Sequence, residues 1–520
     1  MIYLTQSTHR NAQKFPNKIM AQHHGRTHTW MQFKNRVARL AGALQGLGIQ
    51  PNDRVGILAL NSDRYLEYYM AVPWASGVVV PLNTRWTVKE NAYTLNDSGT
   101  KIVLVDDTFL PQVEGLKEEG VPVEIYIYIG EETCPNELLD YEQLIAETPP
   151  IEDSLRHDDD LAGIFYTGGT TGFPKGAMLT HKGLWTSAVA ILIELGFKEE
   201  DVYLHAGPMF HLADGALSNA ALLVGSSHCF LPTFTPKGTV DIINKYQATH
   251  TLLVPVMIQM VTDYAQTTNS KLASLKSVLY GASPMPESVL TAALTTFPNT
   301  SFTQGYGQTE LSPSITLLSS KYHVTEGPKA GRLKSAGQAG LNVEIQIVDK
   351  EGQVLCTGDI GEVIVRGPSV MLGYWNKPEQ TAATLKNGWI LTGDIGYLDE
   401  EGFLYLVDRA KDMIVTGGEN VYSTEVENIV IKHPAVYQCI VIGIPDDKWG
   451  EVVHAEIILK EDATTTEEAI KTHCKAYIAN YKCPKSITFR TAPFPISGAG
   501  KLLKREVRKV YWEGKNRGIN

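Results

Sequence analysis

Cysteine is scarce in this chain: six in 520 residues, at 134, 229, 356, 439, 474 and 483, with no two at Cys-x-x-Cys spacing. That excludes a disulfide framework and a zinc site of paired thiolates, and predicts reduced intracellular thiols. Long apolar runs are missing too. No stretch approaches the ~18 residues of a membrane span. The opening segment MIYLTQSTHRNAQKF has no apolar core of a secretory signal, so a cytoplasmic location is expected. Basic charge is in short supply, with 46 Lys+Arg against 57 Asp+Glu and a net charge of −11. General nucleic-acid binding, which needs a basic face to displace counterions, is therefore not expected. Repeats and low-complexity tracts are absent. The 43% hydrophobic and 9% aromatic content is ordinary for a globular protein and excludes disordered, collagen-like and coiled-coil classes.

At roughly 150 residues per domain the length suggests two to four folding units. Through the first 300 residues, β-branched runs alternate with helical patterns. Residues 55–60, 77–81 and 101–106 read as buried strands, with a helix at 62–75, and 252–256 and 277–280 continue the series. That rhythm predicts βαβ units and a largely parallel sheet. From about Gly340 the pattern becomes strands (343–348, 361–365) joined by short turns, a more antiparallel β region. A final α+β unit begins near Asp408, with helices at 423–432 and 466–481 and strands at 437–444 and 453–459. Residues 409–520 carry 17 Lys+Arg against 14 Asp+Glu, whereas the rest carries 29 against 43. A slightly basic tail on an acidic body fits a surface that meets phosphates, or ordinary compositional scatter.

The loudest local signal is Tyr166-Thr-Gly-Gly-Thr-Thr-Gly-Phe-Pro-Lys-Gly176, which follows the strand-like run 161–166. Gly168, Gly169 and Gly172 let backbone N–H groups approach an anion. Thr167, Thr170 and Thr171 add hydroxyls, and Lys175 adds a point charge. This composition suits a polyphosphate cradle. It is not a Walker loop, because Pro174 removes an N–H before the lysine and Gly176 follows it. Gly305-Tyr-Gly-Gln-Thr-Glu310 supplies a ring that can stack on a purine and a carboxylate that can hold Mg²⁺ beside phosphates. Trp389-Ile-Leu-Thr-Gly-Asp394 offers a carboxylate for ribose hydroxyls at the end of a strand. Asp408-Arg-Ala-Lys-Asp-Met-Ile414 sits at the expected domain boundary, and Pro495-Ile-Ser-Gly-Ala-Gly-Lys501 delivers one lysine on a glycine-rich loop.

Taken in order, these segments, with Gly361-Glu-Val-Ile-Val-Arg-Gly367 and Gly417-Gly-Glu-Asn-Val-Tyr422, make the chain resemble the adenylate-forming superfamily along its whole length, most of all its fatty acyl-CoA ligases. The resemblance implies a large α/β N-terminal domain (1–408) of mixed and parallel sheets with a β-rich subdomain, and a small mobile α+β C-terminal domain (409–520) hinged at 409–411. It implies a two-step ligation in which a small carboxylic acid attacks the α-phosphate of Mg·ATP, and the thiol of coenzyme A then displaces AMP. By the same resemblance, residues 167–175 wrap the β- and γ-phosphates. Gly281, Ala282, Ser283, Tyr306 and Gly307 form the adenine slot. Thr309 touches the α-phosphate, and Glu310 and Thr167 serve Mg²⁺. Asp394 and Arg409 hold the ribose, and Lys501 bridges the carboxylate and the α-phosphate. Lys411 occupies the hinge. Gly417 and Gly418 line a pantetheine tunnel, and Trp449 either stacks on the CoA adenine or packs in the core. Two departures stand out. Gly168 replaces a usual Ser, which is expected to slow adenylation modestly, and Ala499 replaces a common Thr at no mechanistic cost.

Pro208-Met-Phe-His-Leu-Ala-Asp-Gly215 matches the family's acyl-site segment. His211 stands where amino-acid-activating relatives carry an aspartate, so an amino-acid substrate is disfavoured. Asp214, three positions on, keeps that question open. Leu212, Ala213, Gly215, Val254, Val256 and Met257 suggest a lining for an aliphatic or simple aromatic acid. Loading of a carrier-protein thiol, and an aromatic acid in place of a fatty one, are the alternatives. Peripheral membrane contact and a homodimer are left open by the sequence.

Overall fold

The computed structural model describes residues 1–168, 174–283, 285–324, 326–409, 411–417, 419–446, 448–496 and 502–513. It is α/β throughout and divides into two compact units. One is 1–344 with 365–390, and the other is 345–364 with 391–520.

The first unit holds an eight-stranded sheet. Its spatial order is Gly373–Tyr374, Lys175–Thr180, Leu161–Thr167, Val78–Pro81, Arg54–Leu58, Ile102–Val105, Ile125–Tyr128, Leu139–Asp140. The strands from Leu161–Thr167 to Leu139–Asp140 run parallel, as βαβ units require. The two at the other edge run antiparallel. The three expected strands fall within a residue or two of their places, and the expected helix is Asp63–Trp74, opened by a Ser62 side chain that accepts from Tyr65 N. The helix Val88–Ser98 begins in a reciprocal Thr87/Glu90 capping box and ends at Gly99 in the left-handed region.

A second run of strands in this unit is parallel in the order Ile19–His23, Ser227–Phe230, Val202–His205, His250–Leu252, Ser277–Gly281, Ser301–Gly307. Ser314–Leu318 then returns antiparallel after the single 3₁₀ turn Thr309–Leu311. The run 252–256 is not a strand. Pairing stops at Leu252, and Pro255, which has no N–H to give a ladder, opens the helix Pro255–Thr268.

The second unit contains the antiparallel hairpin Trp389–Leu398 with Phe403–Arg409, whose first two residues belong to the other unit. It also contains a five-stranded sheet ordered Glu419–Val421, Ile414–Thr416, Gly450–Leu459, Val436–Asp446, with Ser486–Arg490 parallel to Gly450–Leu459. Alternation decides its two faces. Cys439 and Val441 pack with Val426 and Ile470 of the helices Ser423–Val430 and Glu467–Lys475, whereas Ile440 and Ile442 pack with Val507 of Lys504–Trp512. The expected helix 466–481 is shorter and ends at Lys475, after which the chain turns. An ionic cluster, buried at Asp408 and Ser423 and part-buried at Glu427 and Lys504, ties this unit together. Lys504 Nζ lies 2.7 Å from Ser423 Oγ and 2.8 Å from Glu427 Oε1, and Ser423 donates its hydroxyl to Asp408 at 2.8 Å. Burial pushes the Asp408 and Glu427 carboxyls up. Burial opposes the Lys504 charge, but Glu427 and Asp408 hold its pKa above the ordinary lysine value.

Among the described residues no helix is long and apolar enough to cross a membrane, and all six cysteines are unpaired.

Candidate active site

In the first unit, Thr167 and Lys175 are register partners across the antiparallel strands that flank the phosphate segment. A Walker loop joins a strand to a helix; the two segments flanking the expected phosphate loop are instead paired antiparallel strands. The hairpin's base is tied down by Tyr166, which donates to Asp97 Oδ2 at 2.7 Å. Trp375 Nε1 donates to the Asp97 carbonyl at 2.9 Å. Burial and the Asp97 charge push the Tyr166 phenol well above its usual range, so it stays a donor. Around Gly168 a Cβ would meet no atom of the described residues within 4 Å.

Lys175 has no carboxylate within ion-pair distance among the described residues. Its ammonium lies 5.0 Å from the centroid of the Tyr374 ring. The Tyr374 hydroxyl in turn donates to Glu310 Oε1 at 2.8 Å. Glu310 Oε2 accepts no hydrogen bond from the described residues. No group of three or more His, Cys, Asp or Glu able to cage a metal exists among the described residues. One carboxylate with an uncommitted oxygen fits Mg²⁺, which keeps most of its shell as water and substrate phosphate.

The adenine-slot residues share the C-terminal ends of adjacent parallel strands, the usual place for a ligand in such sheets. Gly281 pairs with Gly305 there. A Cβ on Gly281 would stand 2.1 Å from the Gly305 carbonyl oxygen, and one on Gly307 would stand 1.6 Å from that of Pro313. Both positions therefore admit only glycine. Ala282 holds φ +67°, an uncommon conformation for a residue with a Cβ. Tyr306 lies half-buried on the same strand, and Thr309 and Glu310 occupy the 3₁₀ turn that follows.

His211 is the N-cap of the helix Leu212–Val224, its Nδ1 accepting from Ala213 N at 3.2 Å. It is half-buried rather than sealed in the core. Asp214 is not an amine anchor. It is fully buried and accepts from Tyr203 Oη at 2.7 Å, and His205 Nδ1 lies 2.8 Å from its other oxygen. Two expected lining residues also face elsewhere: Val256 is exposed and Met257 packs in the core.

In the second unit, Asp394 and Arg409 are register partners, with Arg409 Nε 3.2 Å from Asp394 Oδ1. Asp394 lies within its strand, not at its end. Burial, then the neighbouring Arg409, lower the Lys411 ammonium pKa. Trp449 is 45% exposed and is no core residue. Gly417 packs so closely on it that a Cβ would stand 2.7 Å from the indole. Gly169, Thr170, Thr171, Gly172, Gly418 and Lys501 lie outside the described residues. Sequence reasoning missed Asp97 and Tyr374. The available signal was Gly373-Tyr374-Trp375, an aromatic pair with no apolar period to explain it.

The chain matches the family model "AMP-binding enzyme" over residues 8–375 and that of the "AMP-binding enzyme C-terminal domain" over 425–501. It is 34% identical to a feruloyl-CoA synthase from Amycolatopsis sp., with 96% of this chain and 98% of that protein aligned. It is 32% identical to the fatty acid–[acyl-carrier-protein] ligase ScoC from Streptomyces coeruleorubidus, over 99% and 98%. Among solved structures it is similar to the amide bond synthetase McbA from Marinactinospora thermotolerans, with TM-score 0.87, 28% identity and coverage of 98% and 100%.

Proposed function

The chain belongs to the AMP-binding enzyme family of acid–thiol ligases, and from that premise we propose that it joins a fatty acid to coenzyme A through an acyl-adenylate. The observation that carries this is the Lys175–Tyr374–Glu310 arrangement, a cation with no ion-pair partner among the described residues and a carboxylate, joined through one tyrosine.

In this reading Lys175 and the Thr167 hydroxyl receive the β- and γ-phosphates. Gly281, Ala282, Ser283, Tyr306 and Gly307 take the adenine, and Asp394 with Arg409 takes the ribose. Arg409 Nε lies 3.2 Å from Asp394 Oδ1, so the two groups offered to the ribose already stand side by side. Glu310 and Thr167 would hold Mg²⁺, which would supply charge neutralisation at the phosphates. Lys501 stabilises the α-phosphate oxygens as the substrate carboxylate adds. The C-terminal domain (409–520) then turns about 409–411, with Lys411 in the pivot, and presents Gly417, Gly418 and Trp449 to the pantetheine and adenine of CoA. His211 caps the acyl-site helix and walls the acid. Asp214, buried and bonded by Tyr203 beside His205, is not offered to a substrate amino group, which supports a simple organic acid. We assign the enzyme to the cytoplasm, in keeping with its unpaired cysteines.

The test is AMP release from ATP over C4–C18 fatty acids, benzoate, a cinnamate and several amino acids, with and without CoA. Fatty acids with CoA should give the highest turnover. A preference for the cinnamate, or thioester formed only on a carrier protein, refutes the assignment. Lys501→Ala should cost acyl-adenylate formation about 10²–10³-fold while sparing thioester formation from supplied acyl-adenylate. Equal loss of both steps removes that role.

A further inference from the structure

We propose that Tyr374 is a positioning residue for the phosphate end of the site: its hydroxyl turns the Glu310 carboxylate toward Mg²⁺, and its ring face holds the Lys175 ammonium ready for polyphosphate. This rests on the reading that Lys175 and Glu310 serve Mg·ATP.

Tyr374 is placed rigidly enough for the task. Gly373–Tyr374 pairs with Met178 and Ala177 on the strand that Lys175 begins. On either side, Leu372 N donates to Met178 O at 2.9 Å and Trp375 N donates to Gly176 O at 2.8 Å. Tyr374 N itself donates to Thr381 Oγ1 at 2.9 Å. The same short segment reaches Glu310 twice, through Met371 N to the Glu310 carbonyl at 2.9 Å and through the Tyr374 hydroxyl to its carboxylate at 2.8 Å. One stretch of chain thus fixes the relative places of the strand carrying the cation and the turn carrying the anion.

The chemistry of the two contacts differs in a useful way. A hydroxyl bonded to Oε1 leaves Oε2 as the face offered to a metal and fixes its direction. The tyrosine is only 7% exposed, and its hydroxyl donates to Glu310 Oε1. A ring face, by contrast, attracts the ammonium without consuming its N–H donors. A carboxylate in the ring's place would have to be outcompeted by ATP. The ring holds the charge in position and releases it to phosphate oxygens.

Metal and nucleotide binding can be separated experimentally. Mn²⁺ affinity is measured by electron paramagnetic resonance in the complex with a non-hydrolysable ATP analogue, and metal-free analogue affinity by calorimetry. Tyr374→Phe keeps the ring and loses the hydroxyl. It should weaken Mn²⁺ binding about 3- to 10-fold while leaving metal-free nucleotide affinity within about 2-fold. Tyr374→Leu should additionally weaken metal-free binding about 3-fold, since Lys175 loses its support. In a Glu310→Gln background, Tyr374→Phe should weaken Mn²⁺ binding no further, a non-additivity that a general packing defect would not give. Wild-type Mn²⁺ affinity in Tyr374→Phe, with a weakened Glu310→Gln, overturns the role of Tyr374 alone. Unchanged Mn²⁺ affinity in Glu310→Gln overturns the reading beneath it as well.

Discussion

Two lysines, one in each unit, show how the same side chain is put to opposite uses. Lys504 is closed in. Glu427 faces its ammonium at 2.8 Å, Ser423 at 2.7 Å, and Asp408 stands behind the serine. Among the described residues, the Lys175 ammonium meets the flat side of an aromatic ring and no carboxylate. A lysine among buried acids is part of the scaffold, because removing it would strand negative charge away from water. A lysine supported by a ring keeps its hydrogen-bonding capacity for something that arrives later. Charge alone would not separate them; what their nitrogens touch does.

The sharpest way to break this contrast is Lys504→Met. With Asp408 left buried and Glu427 part-buried beside it, both without their cation, unfolding in urea should show a loss of about 3 kcal/mol. A loss below about 1 kcal/mol would class Lys504 with the available lysines. Lys175→Met is the counterpart. It should leave thermal unfolding nearly unchanged yet lower kcat/KM for ATP by about 100-fold, or ~2.7 kcal/mol. A large drop in melting temperature would make Lys175 structural instead.

Acid probes the same question in the first unit. Burial lowers His23, His181 and His323 to about 4. Their unfolded forms, near 6.5, take up a proton first. Their contribution to stability is therefore whole above about pH 6.5 and is lost as pH falls toward 4. Each adds up to about 1.4 kcal/mol per pH unit of slope. Replacing His323, which bonds Tyr280 Oη at 2.9 Å, by Gln should remove one such increment from stability measured between pH 4 and 6.5. An unaltered slope would mean His323 does not titrate there. The gentlest probe is Gly168→Ser. No described residue crowds that Cβ, and one more hydroxyl should lower the KM for ATP about 2- to 5-fold. A raised KM would show that the loop needs glycine at 168.

Much of this was legible in the sequence because the information is local. The βαβ rhythm, the capping residues and the ordered motifs each lie within a few neighbours, and the first strands and helix fall where the pattern puts them. The errors occur where a local pattern has two readings. The apolar run at 252–256 satisfies a strand until the missing N–H of Pro255 is counted. Asp214 looks like a substrate anchor three residues after His211. Only the fold brings Tyr203 and His205 onto it, from a strand nine to eleven residues upstream. The partners of Tyr374 and Asp97 were hidden for the same reason, even though the Tyr374-Trp375 pair itself stood out. Tyr374 lies 64 residues from Glu310 and Asp97 lies 69 from Tyr166, and no spacing rule spans such gaps.

The antiparallel register that sets Thr167 opposite Lys175 also constrains how this chain can change length. Side chains alternate faces along a strand, so one residue inserted between Gly176 and Ala177 would turn the lysine to the far side of the sheet and put Gly176 in its place. The core would lose little and the protein would still fold. It would, however, have exchanged its cation for a hydrogen atom. Insertions in a lineage of such proteins should therefore fall inside the loop or beyond the hairpin, and a homologue carrying one in that strand should be read as having given up ATP.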